Sequence, residues 1–409
     1  MRMLFPLIIM LLIDLYVFQA VAVLCETLTK VQRGVVYSIY WTIPAIAIMV
    51  GIAATSGVTA QWPKSLYTIL RALLFIAYIS KFIAIFPILI DDIRRAGTWT
   101  ISKFNKDIAY DSSRSRFLSK FAIILSGIPF GLFSYGIFRN PYRYQLHKHD
   151  IEIENLHPDL EGLKIVQISD IHSGSFFHKD PVRNSVDMVN KCKPDLVLFT
   201  GDLVNSRSEE INDYFDIFNK VEARFGVYSV LGNHDYGDYT QWPSDEAKKA
   251  NFHDMIQAHK TLGWDLLMNE NRLLKVGDAN LSLIGVENYS ALRQFPKYGD
   301  LKKAYSGTDG ADLKILMSHD PSHWDLEINT KYKDIALTLA GHTHGFQFGI
   351  EIPGWIKWSP SQYMYKEWAG LYKEANQYLY VNRGLGFLGY PGRVGILPEI
   401  TELTLRRKA

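Results

Sequence analysis

Five short clusters of Asp, His and Asn punctuate the second half of this 409-residue chain, each behind an apolar run of strand length. Ile165–Ser169 leads into Asp170-Ile171-His172, and Leu196–Thr200 into Gly201-Asp202. Val227–Leu231 leads into Gly232-Asn233-His234-Asp235, and Leu313–Met317 into Ser318-His319-Asp320. Ile335–Ala340 leads into Gly341-His342-Thr343-His344-Gly345. Residues at the carboxyl ends of neighbouring strands converge on one crevice outside the sheet edge. Carboxylate and imidazole together suit divalent transition metals such as Mn, Fe or Zn, whereas all-oxygen sites favour Mg or Ca. One strand-end carboxylate reaching two ions would hold them about 3.5–4 Å apart, as two-metal hydrolysis requires. Gly201, Gly232, Gly341 and Gly345 allow tight turns and close backbone approach there.

The ordered set Asp-x-His, Gly-Asp, Gly-Asn-His-Asp, a lone His and Gly-His-x-His resembles the calcineurin-like metallophosphoesterases, from about Leu160 to the C-terminus. The resemblance implies two divalent metal ions (Mn, Fe or Zn). Asp170, His172, Asp202 and His344 would hold one; Asp202, Asn233, His319 and His342 would hold the other, with Asp202 as the bridge. His234 would stand over the substrate phosphate, stabilising charge or protonating the leaving oxygen, with Asp235 orienting its ring. A hydroxide shared by the metals would attack phosphorus in line, so no separate base is required. The implied activity is hydrolysis of a phosphodiester or pyrophosphate bond.

The protein phosphatases of that superfamily pair the second motif with Asp-Arg-Gly, but here the stretch is Gly201-Asp202-Leu203-Val204-Asn205-Ser206. Ser318-His319-Asp320-Pro321 and the late Asn-Arg-Gly-Leu-Gly look closer to bacterial membrane-associated phosphoesterases. Some relatives of that group cleave the pyrophosphate of a UDP-linked diacyl sugar in lipid A assembly. A pyrophosphohydrolase of the UDP-diacylglucosamine type is therefore one alternative. A non-catalytic, metal-structured phosphate-binding module is another.

The elements needed to position these residues are short strands. Leu163–Ser169, Leu196–Thr200 and Val227–Leu231 alternate with helical stretches at Pro181–Lys191 and Glu209–Phe218. Further strands are predicted at Leu281–Val286, Leu313–Met317, Ile335–Leu339, Tyr378–Asn382 and Glu399–Leu405. Such a pattern predicts an α/β domain of packed sheets flanked by helices, and the resemblance makes it a four-layer αββα sandwich over residues 161–409. Residues 141–160 read as a polar linker.

Residues 1–140 read as a membrane domain. A spanning helix needs about 20 mostly apolar residues, and Met3–Cys25, Val35–Thr55, Leu66–Ile90 and Phe117–Phe138 qualify. The first has no convincing signal-peptidase site and is read as retained. Within the spans, Asp14 is expected to pair with a basic residue and Arg71 to snorkel. Basic residues concentrate after the first and third spans: Lys30, Arg33, Arg94, Arg95, Lys103, Lys106, Arg114, Arg116 and Lys120. The other side carries Arg2, Lys64, Arg139, Arg143 and Lys148. The positive-inside rule then puts the catalytic domain outside the cytoplasm, in the bacterial cytoplasmic membrane that the resemblance implies.

The remaining features set limits. A net charge of +2 argues for no nucleic-acid partner, and Cys25 and Cys192 are too few for a disulfide framework or a cysteine-rich zinc site. His157, His178, His253, His259 and His323 lie outside the motifs and read as surface or loop residues. Asp195, Glu287 and Asp320 read as cap or turn acceptors. Arg383 could clamp a substrate phosphate with its guanidinium fork or form a structural salt bridge. Trp355, Trp358, Tyr363, Tyr365, Trp368 and Tyr372 follow Gly-His-x-His directly. They could pack the domain, or border a groove for a lipid-linked substrate, since amphipathic rings favour membrane interfaces.

Overall fold

The computed structural model describes residues 4–104 and 112–408; Arg2, Met3 and Lys106, used in the span and charge assignments, lie outside them. The chain divides into two compact units, Met1–Gly136 and Ile137–Ala409.

The first unit holds helices α1 (Leu4–Leu24), α2 (Lys30–Thr55), α3 (Lys64–Ser102) and α4 (Ser112–Phe138). All four are long and apolar enough to cross a membrane. Thr29 starts α2 with a capping box shared with Gln32. Helix α3 runs on past the expected end at Ile90, so Arg94 and Arg95 sit on helix rather than loop. Its 39 residues span about 58 Å, beyond a hydrocarbon core of about 30 Å. The excess carries the ion pairs Asp91–Arg94 and Asp92–Arg95. Asp14 on α1 finds its expected partner in Lys81 on α3, at 2.5 Å. Val17, Ala20, Ala84, Ile88 and Ala122 pack at the helix interfaces, where small residues let helices approach.

The second unit begins with β1 (Gln145–Ile153), β2 (Lys164–Ile168), helix α5 (Lys179–Lys191) and β3 (Leu196–Phe199). The stretch read as one helix, Glu209–Phe218, is a 3-10 helix, Ser208–Tyr214, running into a single turn α6 (Phe215–Phe218). Then come β4 (Val227–Ser229), α7 (Asp245–Thr261), β5 (Asp265–Leu266), β6 (Glu270–Val276) and β7 (Ala279–Gly285). Strands β8 (Leu313–Met317), β9 (Ile335–Ala340), β10 (Ile350–Ile352) and β11 (Ile356–Trp358) follow. The last are β12 (Gly370–Glu374), β13 (Gln377–Val381) and β14 (Glu399–Arg407).

These strands build two six-stranded mixed sheets, β1-β14-β2-β3-β4-β5 and β12-β13-β9-β8-β7-β6, and a separate β10–β11 hairpin. Alternation along the strands separates three apolar layers. Ile165, Leu196, Leu198, Leu283, Leu339 and Leu403 lie between the sheets. Val166, Ile168, Val197 and Phe199 face α5 and α7, with Val186 and Met255. On the far side, Ile284, Leu316 and Ala340 pack with Trp324 and Ile328. The αββα expectation holds.

Residues 145–153, read as linker, instead form edge strand β1, nine residues in parallel register with β14. Its polar sequence hid it: five residues run Leu-His-Lys-His-Asp, and only its last positions, Ile151 and Ile153, are buried apolar. Helix α7 escaped the sequence reading because it buries little apolar surface, chiefly Met255 and Ala258.

Candidate metal centre

The chemistry-bearing clusters all sit where parallel strands end. Asp170 and His172 follow β2, Asp202 follows β3, Asn233 and His234 follow β4, His319 follows β8, and His342 and His344 follow β9. The loops are stitched together by their own backbone: Asp170 N donates to the Gly201 carbonyl at 2.9 Å, His172 N to that of Asp202 at 3.1 Å, and Gly341 N to that of His319 at 2.8 Å. Two glycines are obligatory for this closeness. A Cβ on Gly232 would lie 2.2 Å from Asp202 Oδ1, and one on Gly341 would lie 2.2 Å from Asp170 Oδ2.

Two groups result, Asp170–His172–His344 and Asp202–His319–His342, each with donor atoms within 4.8 Å of one another. Asp202 Oδ2 lies 3.5 Å from His172 Nε2 and 3.2 Å from His319 Nε2, so a single oxygen stands between the groups. Five of these residues, Asp170, His172, Asp202, His342 and His344, have positive φ, between 46° and 70°. Left-handed backbone at a non-glycine residue costs roughly 1–3 kcal/mol each and persists where the surroundings over-determine it. No sequence signal announces this.

The residues fit metal ions on three grounds. His172 Nε2 and His344 Nε2 face each other at 3.0 Å, and Asn233 Oδ1 is buried with no hydrogen-bond partner. Burial drives His172 down to about 3, His342 down to about 4 and His344 well below the usual histidine value, leaving neutral rings with lone pairs to offer. Burial alone would also lower His319, but the adjacent Asp202 carboxylate raises it to about 10. Asp202 is correspondingly held well below the carboxylate range: burial opposes ionisation there, and His319 overrides it. Burial lifts Asp170 to about 6. A site with ring nitrogens crowded together beside carboxylates and an orphaned amide oxygen is one that cations fit.

The ligand candidates are themselves held. His319 Nδ1 bonds the Thr200 carbonyl at 2.7 Å, and His342 Nε2 meets Tyr365 Oη at 2.7 Å and lies 3.5 Å from Asp320 Oδ2. Such partners fix which ring nitrogen faces a metal. Tyr365 was not singled out by sequence except as one aromatic among six. Asp320 is a turn acceptor as expected, receiving Ser322 N and Oγ, and also faces His342.

Asp235 does something other than orient His234. Its carboxylate turns inward and accepts the backbone N–H of Asp202 and Gly232 at 2.9 Å and of Leu203 at 2.8 Å. It ties the β3 and β4 loops together because those donors have no strand partner. His234 Nδ1 instead pairs with the Asn205 carbonyl at 2.7 Å, and its ring packs against Tyr239, with centroids 4.5 Å apart. Asn205 and Tyr239 were therefore missed, and a backbone carbonyl carries no sequence signal.

Arg383 takes the salt-bridge alternative. It is buried, paired with Glu399 and with Glu351 at 2.6 Å, so its fork is committed within the domain. His259 and His323, read as surface or loop, are fully buried. The aromatic segment divides: Tyr365 and Trp368 are buried, while Trp355 and Tyr363 are each 76% exposed.

Both parts of the chain resemble known proteins. Residues 163–346 match the calcineurin-like phosphoesterase family, and residues 1–141 match a family described as the transmembrane domain of calcineurin-like phosphoesterases. The uncharacterized metallophosphoesterase YkuE of Bacillus subtilis is 28% identical over 68% of this chain and 90% of its own length. A bovine transmembrane protein with metallophosphoesterase domain is 30% identical over 63% of this chain, and a zebrafish protein of the same description is 29% identical over 63%. The chain spans 56% of the length of each vertebrate relative.

Proposed function

The chain belongs to the calcineurin-like metallophosphoesterases, and from that premise we propose that it cleaves a phosphodiester or pyrophosphate bond in a lipid-linked substrate. That it is a metal-dependent phosphoesterase and an integral membrane protein follows from the family. The finer reading rests on the chain's own residues.

Asp170, His172 and His344 would hold one divalent ion, Asn233, His319 and His342 a second, and Asp202 both. The observation that carries this is Asp202 Oδ2, poised between His172 and His319. When bound, the two ions supply Lewis acidity and a deprotonated water at neutral pH. His234 supplies what they do not. With Nδ1–H donated to the Asn205 carbonyl, Nε2 is the free position, and in the imidazolium form it would give its proton to the leaving oxygen, which is general-acid work. Tyr239, bonded to Asn233 Nδ2 at 2.9 Å, keeps that ring from turning.

A lipid-linked substrate is supported by the four spans on the same chain and by exposed rings a short distance along the chain from His344. The basic bias around α1–α2 and α3–α4 supports an extracytoplasmic catalytic unit in a bacterial cytoplasmic membrane; labelling of a Leu273→Cys variant in intact cells by an impermeant maleimide tests it, and protection until lysis would reverse the orientation.

The first assay is hydrolysis of bis-p-nitrophenyl phosphate and p-nitrophenyl phosphate by the full chain after chelation and Mn²⁺ return, followed by lipid pyrophosphates. Metal-dependent turnover of diester over monoester is expected. A metal-loaded protein that turns over the monoester alone would refute the bond class, and equal turnover of lipid and soluble pyrophosphates would refute the lipid preference.

A further inference from the structure

We propose that the β10–β11 hairpin inserts into the headgroup region of a lipid bilayer. Directly opposed residues in an antiparallel pair share a face. Ile350 opposes Trp358 and Ile352 opposes Ile356, so these four form one face, and Glu351 with Lys357 the other. The charged face is tied to the domain at its tips: Glu351 receives Arg383 Nη2 at 2.6 Å, and Lys357 Nζ donates to the Ala369 carbonyl. On β10 the apolar face is outward, with Ile350 at 50% and Ile352 at 42%, and Trp355 beside the hairpin turn is at 76% exposure; on β11, Ile356 and Trp358 are half-buried. A surface hairpin made for water has the opposite polarity.

Phe346, four residues before the hairpin, is a further exposed apolar side chain. His344, Gly345, Phe346 and Gln347 all have positive φ, and this left-handed run leaves Phe346 57% exposed rather than in the core. Gln347 pins the run by donating to the Tyr390 carbonyl at 2.8 Å and accepting from Leu388 N at 2.6 Å. Scattered apolar residues on a surface are ordinary, but a contiguous apolar patch marks a partner. Four spans on the same chain keep this unit at a bilayer. Tryptophan with aliphatic neighbours is the composition of the membrane interface, so lipid is the occupant. The inference rests on the membrane anchoring above and not on the substrate.

The test uses the full chain with Cys25→Ala and Cys192→Ala, in phosphatidylethanolamine–phosphatidylglycerol vesicles. Single cysteines at Trp355→Cys, Ile352→Cys and, on the edge strand β6, Leu273→Cys (59% exposed) carry an environment-sensitive fluorophore. Doxyl-labelled lipid should quench the label severalfold at 355 or 352 and leave that at 273 unchanged. Equal response at all three positions would overturn the proposal. So would a blue-shifted label at 355 and 352 that lipid does not quench, which would mean protein covers the hairpin. Neither outcome depends on hydrolysis, so the proposal can fail while the phosphoesterase reading stands.

Discussion

Asp14 in the membrane unit and Asp170 at the strand ends are both fully buried carboxylates, yet their surroundings differ in kind. Both oxygens of Asp14 are taken, one by Lys81 Nζ at 2.5 Å and one by Tyr78 Oη at 2.8 Å, and its carbonyl accepts Tyr40 Oη at 2.6 Å. Both oxygens of Asp170 accept the His342 N–H, but beside it His172 Nε2 and His344 Nε2 crowd to 3.0 Å and the buried Asn233 Oδ1 accepts nothing. The first cluster is closed and acts as glue between helices. The second leaves acceptors unfilled, Asn233 Oδ1 and His172 Nδ1 among them, and a cation fits there. Burial of polar groups is common to both, so the state of their bonds is what separates structure from site.

The largest expected effect tests the open cluster. Asp202→Asn should lose bound metal and lower kcat/KM by about 10³-fold, about 4 kcal/mol of barrier; retention of both ions by mass spectrometry would remove Asp202 as the bridge. Breaking the closed cluster comes next. Lys81→Ala leaves a buried charge unpaired and should cost about 3 kcal/mol in thermal unfolding of the reconstituted protein, whereas Asp14→Asn with Lys81→Met should restore much of it. Metal content should not follow either change. His234→Ala should lower kcat about 10²-fold with full metal content, since it stands outside both ligand groups; loss of metal would place it among them.

A third buried group sharpens the comparison. His259 is fully buried with neither ring nitrogen bonded, but it packs beside Phe199 and Trp264, and among the described residues it joins no ligand group. Burial pushes it down to about 3. Between the unfolded value of about 6.5 and that limit the unfolded chain binds a proton that the folded chain refuses. Stability is therefore full above about 6.5 and falls as pH drops, by about 2 kcal/mol at pH 5. His259→Phe should flatten that acid limb in denaturant titrations; an unchanged slope would show that other groups set it. The smallest effect is Tyr365→Phe, which frees His342 Nε2 and should weaken metal binding about tenfold, read by competition with a chelator.

The same contrast explains what could be read early. The strand-end clusters were legible because each rides on a short β-branched run, and residue type with position sufficed. Strand β1 was not, because a sheet edge tolerates the polar string His147-Lys148-His149-Asp150 and leaves no alternation to find. Helix α7 gave too weak an apolar stripe. The bonds of Asp235 and of the Asn205 carbonyl depend on loops that meet only after the sheet forms.

By itself the sequence determined that four apolar helices precede a two-sheet domain, and that Asp, His and Asn gather at its strand ends, because periodicity and residue chemistry are local properties. Tertiary structure decided which oxygen stands between two histidine sets, that Asp235 ties loops, that Arg383 is spent on Glu351 and Glu399, and that Ile350 and Ile352 of the β10–β11 hairpin face outward. Those outcomes depend on which lone pairs and faces are left over once distant segments have packed, and no single stretch of chain carries that information.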